Sequence, residues 1–273
     1  NSNGIKVTPM PKTPSADHPL PSCVNNQGLF STHFLADRLP APEWAQEALA
    51  VFDKLKAKYE SGSDLAESWN EAQTENEFIR PALEMLGWHF IPQVPLTKGG
   101  KHNVPDYALF GDAATKTKAT RHQKQPEKFF PLALAIADAK YWGRALDAES
   151  PGDVRDEASN ANPGFQIINY LVSSDVAWGI LTNGRVWRLY AQRVRSRTTT
   201  FYEVNLEEAL QAGNAEAFRY FALFFHRAAF QPDPATGQCF LDRVLAESAD
   251  YAVQVQDELK ELVFERIVPL LVQ

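Results

Sequence analysis

The sequence predicts an α/β protein with three layers, α/β/α, around a central mixed sheet. Element signals run in the order helices, three strands, one helix, further strands and terminal helices, a pattern that encloses a sheet on both sides. From Leu132 to Lys140, alanine alternates strictly with larger or charged residues, the period of a strand. Asn183-Gly184 separates two apolar runs and is a strong tight-turn signal.

Residues 1–42 are rich in Pro, Ser and Asn without sustained periodicity, which predicts an extended N-terminal arm. The main domain is expected over 43–232. From Glu43 to Tyr59, Ala48, Val51, Phe52, Leu55 and Tyr59 recur at helical spacing, and Gly62 sits in the break that follows. A second helix is expected from Thr74, as N-cap, to Gly87, as the residue after the last turn, with a kink at Pro81.

Strands are expected at His89 to Leu96, Val104 to Phe110 and Phe130 to Tyr141. In the third, Leu132, Leu134, Ile136, Asp138 and Lys140 share one face and Ala133, Ala135, Ala137 and Ala139 the other. The alanine face leaves room for a closely packed helix. A helix over Pro163 to Val172 precedes a hairpin of Val176 to Leu181 with Val186 to Tyr190. A strand at Thr198 to Val204 follows, then helices near Ala215–Ala229 and Leu241–Leu271.

Two distant cysteines, Cys23 and Cys239, suggest neither a disulfide framework nor a zinc site. No apolar run nears the roughly 20 residues of a membrane helix, and no basic-then-apolar leader opens the chain. A soluble protein of the reducing cytoplasm, without membrane partners, is expected. Walker A, HExxH and GxSxG patterns are absent.

The net charge of −7 opposes phosphate binding as a whole, but its distribution is uneven. Residues 113–130 carry Lys116, Lys118, Arg121, Lys124 and Lys128 against Glu127, and residues 185–197 carry Arg185, Arg188, Arg193, Arg195 and Arg197 without an acid. These segments fit phosphate contacts equally with a solvated loop and a charged edge strand.

Hydrolysis of a phosphodiester needs a cation to stabilise developing charge and a water made nucleophilic near neutral pH. Mg²⁺ prefers hard oxygen ligands and takes only one or two protein carboxylates. Pro105-Asp106 offers one carboxylate at a strand start. Asp138-Ala139-Lys140 offers a second with an amine beside it on one strand face, where partial desolvation would lower the lysine pKa. Each short pattern recurs by chance. Their joint placement on an otherwise apolar face, where unpaired charge is costly, favours a site.

Pro105-Asp106 with Asp138-x-Lys140 resembles the PD-(D/E)xK nuclease motif. Thr74-Glu75-x-x-Phe78-Ile79-x-Pro81-x-Leu83-x-x-Leu86-Gly87-Trp88 is similar to the first core helix of nuclease domains at the N-terminus of fused type IIG restriction-modification enzymes. Gln166-x-x-x-Tyr170 and Trp178-Gly179-x-x-x-Asn183-Gly184-x-x-Trp187-x-Leu189-Tyr190 are similar to the helix and hairpin that follow the catalytic strand there. The likeness covers about residues 71–205.

The resemblance implies a restriction-endonuclease-like fold and an Mg²⁺-dependent endonuclease, with Mn²⁺ as the alternative ion. It implies Asp106 and Asp138 as metal ligands, Lys140 beside the water and Glu77 as a helix acid of the metal shell. Glu77 fits a capping box with Thr74 almost as well. Gln166 and Tyr170 would face the site or the DNA backbone, and ordinary packing explains Tyr170 nearly as well. Lys116, Lys118, Arg121, Lys124, Arg193, Arg195 and Arg197 would contact double-stranded DNA.

Residues 233–273 are similar to a helical connector leading to a methyltransferase and target-recognition part. A catalytically silent DNA-binding or regulatory module of the same fold, or the nuclease of a type I restriction or other phage-defence system, is the alternative reading.

Overall fold

The computed structural model describes residues 19–96, 104–147, 162–194, 197, 199–213 and 215–267. Its seven strands are β1 (Val24–Asn26), β2 (His89–Pro92), β3 (Tyr107–Phe110), β4 (Ala135–Ala139), β5 (Trp178–Thr182), β6 (Val186–Ala191) and β7 (Tyr202–Asn205). They form one mixed sheet in the order β1-β7-β6-β5-β4-β3-β2. Only β4 and β5 pair in parallel, joined by the crossover helix α8 (Pro163–Ser174); every other neighbour is antiparallel. This is an α/β protein, as its element order predicts, and no described helix is long and apolar enough to cross a membrane.

Two apolar cores lie on the two sheet faces. The larger joins Tyr107, Ala135, Ala137, Ala139, Ile180 and Trp187 to the segment around Phe30 and Phe34 and to several helices. These include α1 (Ala45–Leu49), α2 (Phe52–Glu60), α3 (Ser63–Ala66) and α5 (Arg80–Met85), with the short α4 (Glu71–Thr74) between the last two in the chain, and the three C-terminal helices. The smaller core joins Ala108, Ile136 and Leu181 to α6 (Ala113–Thr120), α7 (Pro126–Phe129) and α8. The chain closes with α9 (Leu206–Gln211), α10 (Ala215–Phe225) and α11 (Phe240–Leu262).

The alanine face, with Ala135, Ala137 and Ala139, lies in the larger core, and on the opposite face α8 packs over Gly179, where a Cβ would stand 3.0 Å from Ile167 Cγ1.

Residues 19–42 are part of the folded unit rather than an arm. β1 pairs with β7 along the sheet edge, and Cys23, Leu29, Phe30, Phe34, Leu35 and Leu39 are buried in the larger core. A strand of three residues gives too little alternation to read, and apolar burial fixes it instead. Residues 1–18 lie outside the described residues.

The helix expected from Thr74 starts four residues earlier. Asn70 caps it: its side chain accepts from Gln73 N at 2.9 Å while Gln73 Oε1 accepts from Asn70 N at 3.0 Å. Thr74 is buried, donating to Asn70 O and accepting from Trp142 N at 3.1 Å. Pro81 does not break this helix. A wide π turn at Glu75–Ile79 precedes it and accommodates the missing N–H.

In the β5–β6 connection only Gly184 of the Asn-Gly pair takes positive φ, at +85°. The mirror-image turn needs both, so side chains close this loop: Asn183 Oδ1 accepts from Val186 N at 2.7 Å and Thr182 Oγ1 from Gly184 N at 2.9 Å. Trp142 packs over it among Tyr59, Trp69 and Phe78. A Cβ on Gly184 would meet that indole at 2.8 Å. Gly184→Ala is therefore expected to destabilise the protein by about 1–3 kcal/mol through left-handed strain and overpacking. Thermal denaturation measures this, and an unchanged midpoint would show that Trp142 yields freely.

Candidate active site

β4 ends in the only part of the sheet where neighbours pair in parallel, with Asp138 opposite Leu181. On its other side the register Tyr107↔Ala137 and Ala108↔Ile136, extended by one residue, sets Asp106 opposite Asp138. Side chains of directly opposed residues project to the same face, here that of Ile136 and α8. Asp106 Oδ2 also accepts from Ala139 N at 2.7 Å, and Gln93 N donates to Asp106 O at 3.0 Å. The second hydrogen bond ties the carboxylate's backbone to the end of β2.

Lys140, two residues beyond Asp138, lies on that same face, and its main-chain N–H donates to Thr182 O at 2.8 Å. Asp138 is 1% exposed and Lys140 7%. Lys140 Nζ stands 2.7 Å from Asp138 Oδ2, which finds no hydrogen-bond donor of ordinary geometry besides this ion-pair contact. Burial and then the neighbouring Asp138 charge push the Asp106 carboxyl well above the usual carboxylate range. Burial pulls the Lys140 pKa down, but Asp138, Asp106 and Glu71 together outweigh it and raise it. The direction is opposite to the expected lowering, because the charges of three carboxylates act on one amine and favour its ammonium form.

α8 roofs the cluster. Tyr170 is buried beneath it, its hydroxyl raised by burial and by the Asp138 charge. Gln166 Nε2 donates to Tyr170 Oη at 2.7 Å, and Gln166 Oε1 is a buried acceptor without a partner. Asp106, Asp138, Lys140, Tyr170 and Gln166 thus form one neighbourhood.

Glu77 does not join it. Its side chain is 56% exposed and faces Lys58 at 3.8 Å. Glu75 shares the buried face with Phe78 and Ile79, and Glu77, two residues on, faces outward. Buried Glu75 accepts from Tyr107 Oη and, at 3.2 Å, from Arg80 Nη2, while Arg80 Nε donates to Tyr107 Oη at 3.0 Å. Glu71, one turn earlier, adds its charge at Lys140, and Glu75 adds a smaller one at Asp106. The Asn70-x-x-Gln73 box is the sequence signal that identifies these two acids.

The basic segments lie elsewhere. α6 carries Lys116 and Lys118, with Arg121 and Lys124 just beyond, and leaves the end of β3 opposite to Asp106, roughly 13 Å along the strand. Arg193 follows β6 at Ala191, which pairs with Trp178 at the end of β5 away from Thr182. Arg197 donates to Gln192 O at that same end. Arg195 lies outside the described residues. Two other arginines are committed internally: Arg185 pairs with Glu67 at 3.3 Å, and Arg188, 4% exposed, with Glu203 at 2.5 Å.

Comparison with protein-family models, curated proteins and solved structures returns no match. What the fold and site define is an α/β protein with a buried carboxylate–lysine pair, Asp138 and Lys140, and a half-buried second carboxylate, Asp106, at the end of a central strand. Among the described residues no three His, Cys, Asp or Glu side chains converge as a ready metal cage.

The raised Asp106 carboxyl carries a pH signature. The folded chain holds that proton more tightly than the unfolded chain, so stability falls as pH rises from the ordinary carboxylate range towards neutrality. Asp106→Asn, whose amide oxygen still accepts from Ala139 N, should make the metal-free protein more stable at pH 7, with the gain vanishing near pH 4. Parallel denaturation curves at the two pH values measure it. A variant no more stable than wild type at pH 7 would show that Asp106 ionises there without cost.

Proposed function

We propose that this chain is a divalent-metal-dependent DNA endonuclease domain of restriction-endonuclease-like architecture, acting in a restriction-modification system. The observation that carries the reading is the register of β3 against β4, which opposes Asp106 to Asp138 and leaves Lys140 beside them on one face.

The donor set suits Mg²⁺. Two carboxylates without a third ligand match an ion that keeps waters and takes substrate oxygens, rather than one held in a full protein cage. Asp138 Oδ2 has the Lys140 ion-pair contact but no further donor, and burial and the Asp138 charge raise the Asp106 pKa, two conditions that a cation relieves. When bound there, the ion would supply charge stabilisation at the phosphate and lower the pKa of a water.

On this reading Asp106 and Asp138 hold the ion. The Lys140 ammonium orients the attacking water and meets developing negative charge; as an ammonium it does not take the proton. Gln166 and Tyr170 line the roof of the site, with Gln166 Oε1 free to accept from water. Sequence specificity falls to another part, such as a methyltransferase and target-recognition domain, since the basic segments offer phosphate contacts that carry no sequence information.

The test is cleavage of supercoiled plasmid with Mg²⁺ or Mn²⁺. Asp138→Ala should abolish cleavage, and Lys140→Ala should retain calorimetric Mg²⁺ binding while losing roughly 100-fold or more in rate. Cleavage that survives chelator, or that is equal in Lys140→Ala and wild type, would sink the assignment.

The isolated chain should also nick or cut long DNA with little sequence preference, and its binding should weaken steeply with salt. Mapping the ends after incubation with Mg²⁺ at moderate salt checks this. Discrete fragments ending at one fixed sequence would place specificity within these residues.

A further inference from the structure

α11 begins as an ordinary surface helix and ends as something else. Leu241, Val244 and Ser248 face the body of the protein and are buried. At 100° per residue the same stripe continues through Ala252, Val255, Leu259, Leu262 and Val263. In this second half no described residue covers it: Val255, Leu259, Leu262 and Val263 are exposed. Nine large apolar side chains are exposed among the described residues, and six of them lie between Val253 and Phe264. Scattered exposed apolar residues are normal, whereas a contiguous stripe of them marks a contact surface.

The edges of the stripe say what fits it. Glu247, Glu258, Glu261 and Glu265 run along one edge, and Gln256 and Lys260 along the other. A second copy packed antiparallel would bring the two acidic edges together. A second copy packed parallel would set the acidic edge against Gln256 and the single Lys260, which already faces Asp257 at 3.1 Å, one cation for four glutamates. A helix with an apolar seam and Lys or Arg along its flank gains on both counts.

We propose that the distal half of α11 is the docking face for a basic amphipathic helix of a partner. The seam takes apolar side chains at i, i+3, i+4 and i+7, and the glutamates fix orientation and select against acidic helices. This surface is separate from the carboxylate cluster, so its test is independent of any cleavage assay.

Two synthetic amphipathic helices of about three heptads serve as probes, identical in their Leu seam and carrying either Lys or Glu at the flanking positions. Each is titrated into the full chain by fluorescence anisotropy at moderate and high salt. The Lys peptide should bind at least about tenfold tighter than the Glu peptide, a difference of about 1.4 kcal/mol, and salt should narrow the gap. The double variant Leu259→Glu/Leu262→Glu, both exposed positions, should lose the binding while keeping its circular dichroism spectrum and melting midpoint.

Binding of neither peptide, equal binding of both, or binding unchanged in the double variant overturns the proposal. A dimer seen by sedimentation that Leu259→Glu dissolves would give the face to a second copy and overturn it equally.

Discussion

The rest of the site depends on one arrangement, an ion pair between Asp138 and Lys140 buried on the face of a central strand with Asp106 pressed against it. A buried carboxylate and ammonium with a second, half-buried carboxylate against them do not balance. A buried pair roughly offsets its own desolvation at best, and an extra carboxylate adds to the cost. The imbalance appears in the raised Asp106 carboxyl and in the Asp138 oxygen short of a donor.

The surrounding sheet maintains the arrangement against that cost. Backbone pairing on both sides of β4 fixes the strand, Ala139 N ties down Asp106, and α8 lies close because Gly179 has no side chain to hold it off. A cluster tuned for folding stability would not retain two acids here. The excess negative charge is what makes the cluster a candidate for chemistry.

Much of the frame was legible in the sequence because it depends on local periodicity. The alternation through Ile136, Asp138 and Lys140 assigns faces correctly, and Gly87 ends its helix with positive φ. What could not be read depends on phase or on distant partners. The resemblance points to Glu77 as the helix acid, while the fold turns in Glu75, whose partners Tyr107 and Arg80 come from different elements. The protonation of Lys140 depends on three carboxylates brought from β3, β4 and α4, so one strand's pattern cannot disclose it. Residues 19–42 look like an arm because burial against α10 and β7, rather than alternation, orders them.

The distribution of charge at the two ends of the sheet bears on how any phosphate would reach the cluster. Lys116, Lys118, Arg193 and Arg197 gather at the end from which β3 and β6 leave, whereas Asp106, Asp138 and Lys140 occupy the other. At the cluster itself the charges felt by the Lys140 ammonium are those of Asp138, Asp106 and Glu71, three acids against one base. In that poorly solvated setting the Asp138–Lys140 pair leaves no surplus positive charge for an anionic backbone, and each further ionised carboxylate repels it. On the proposed reading, the basic end anchors a duplex and steers it, but does not by itself seat a phosphate between the aspartates. On that same reading, seating it requires added positive charge at the carboxylates, so substrate entry to this site and divalent-ion binding would be one coupled event, and the chain without its ion would hold DNA only by its far end.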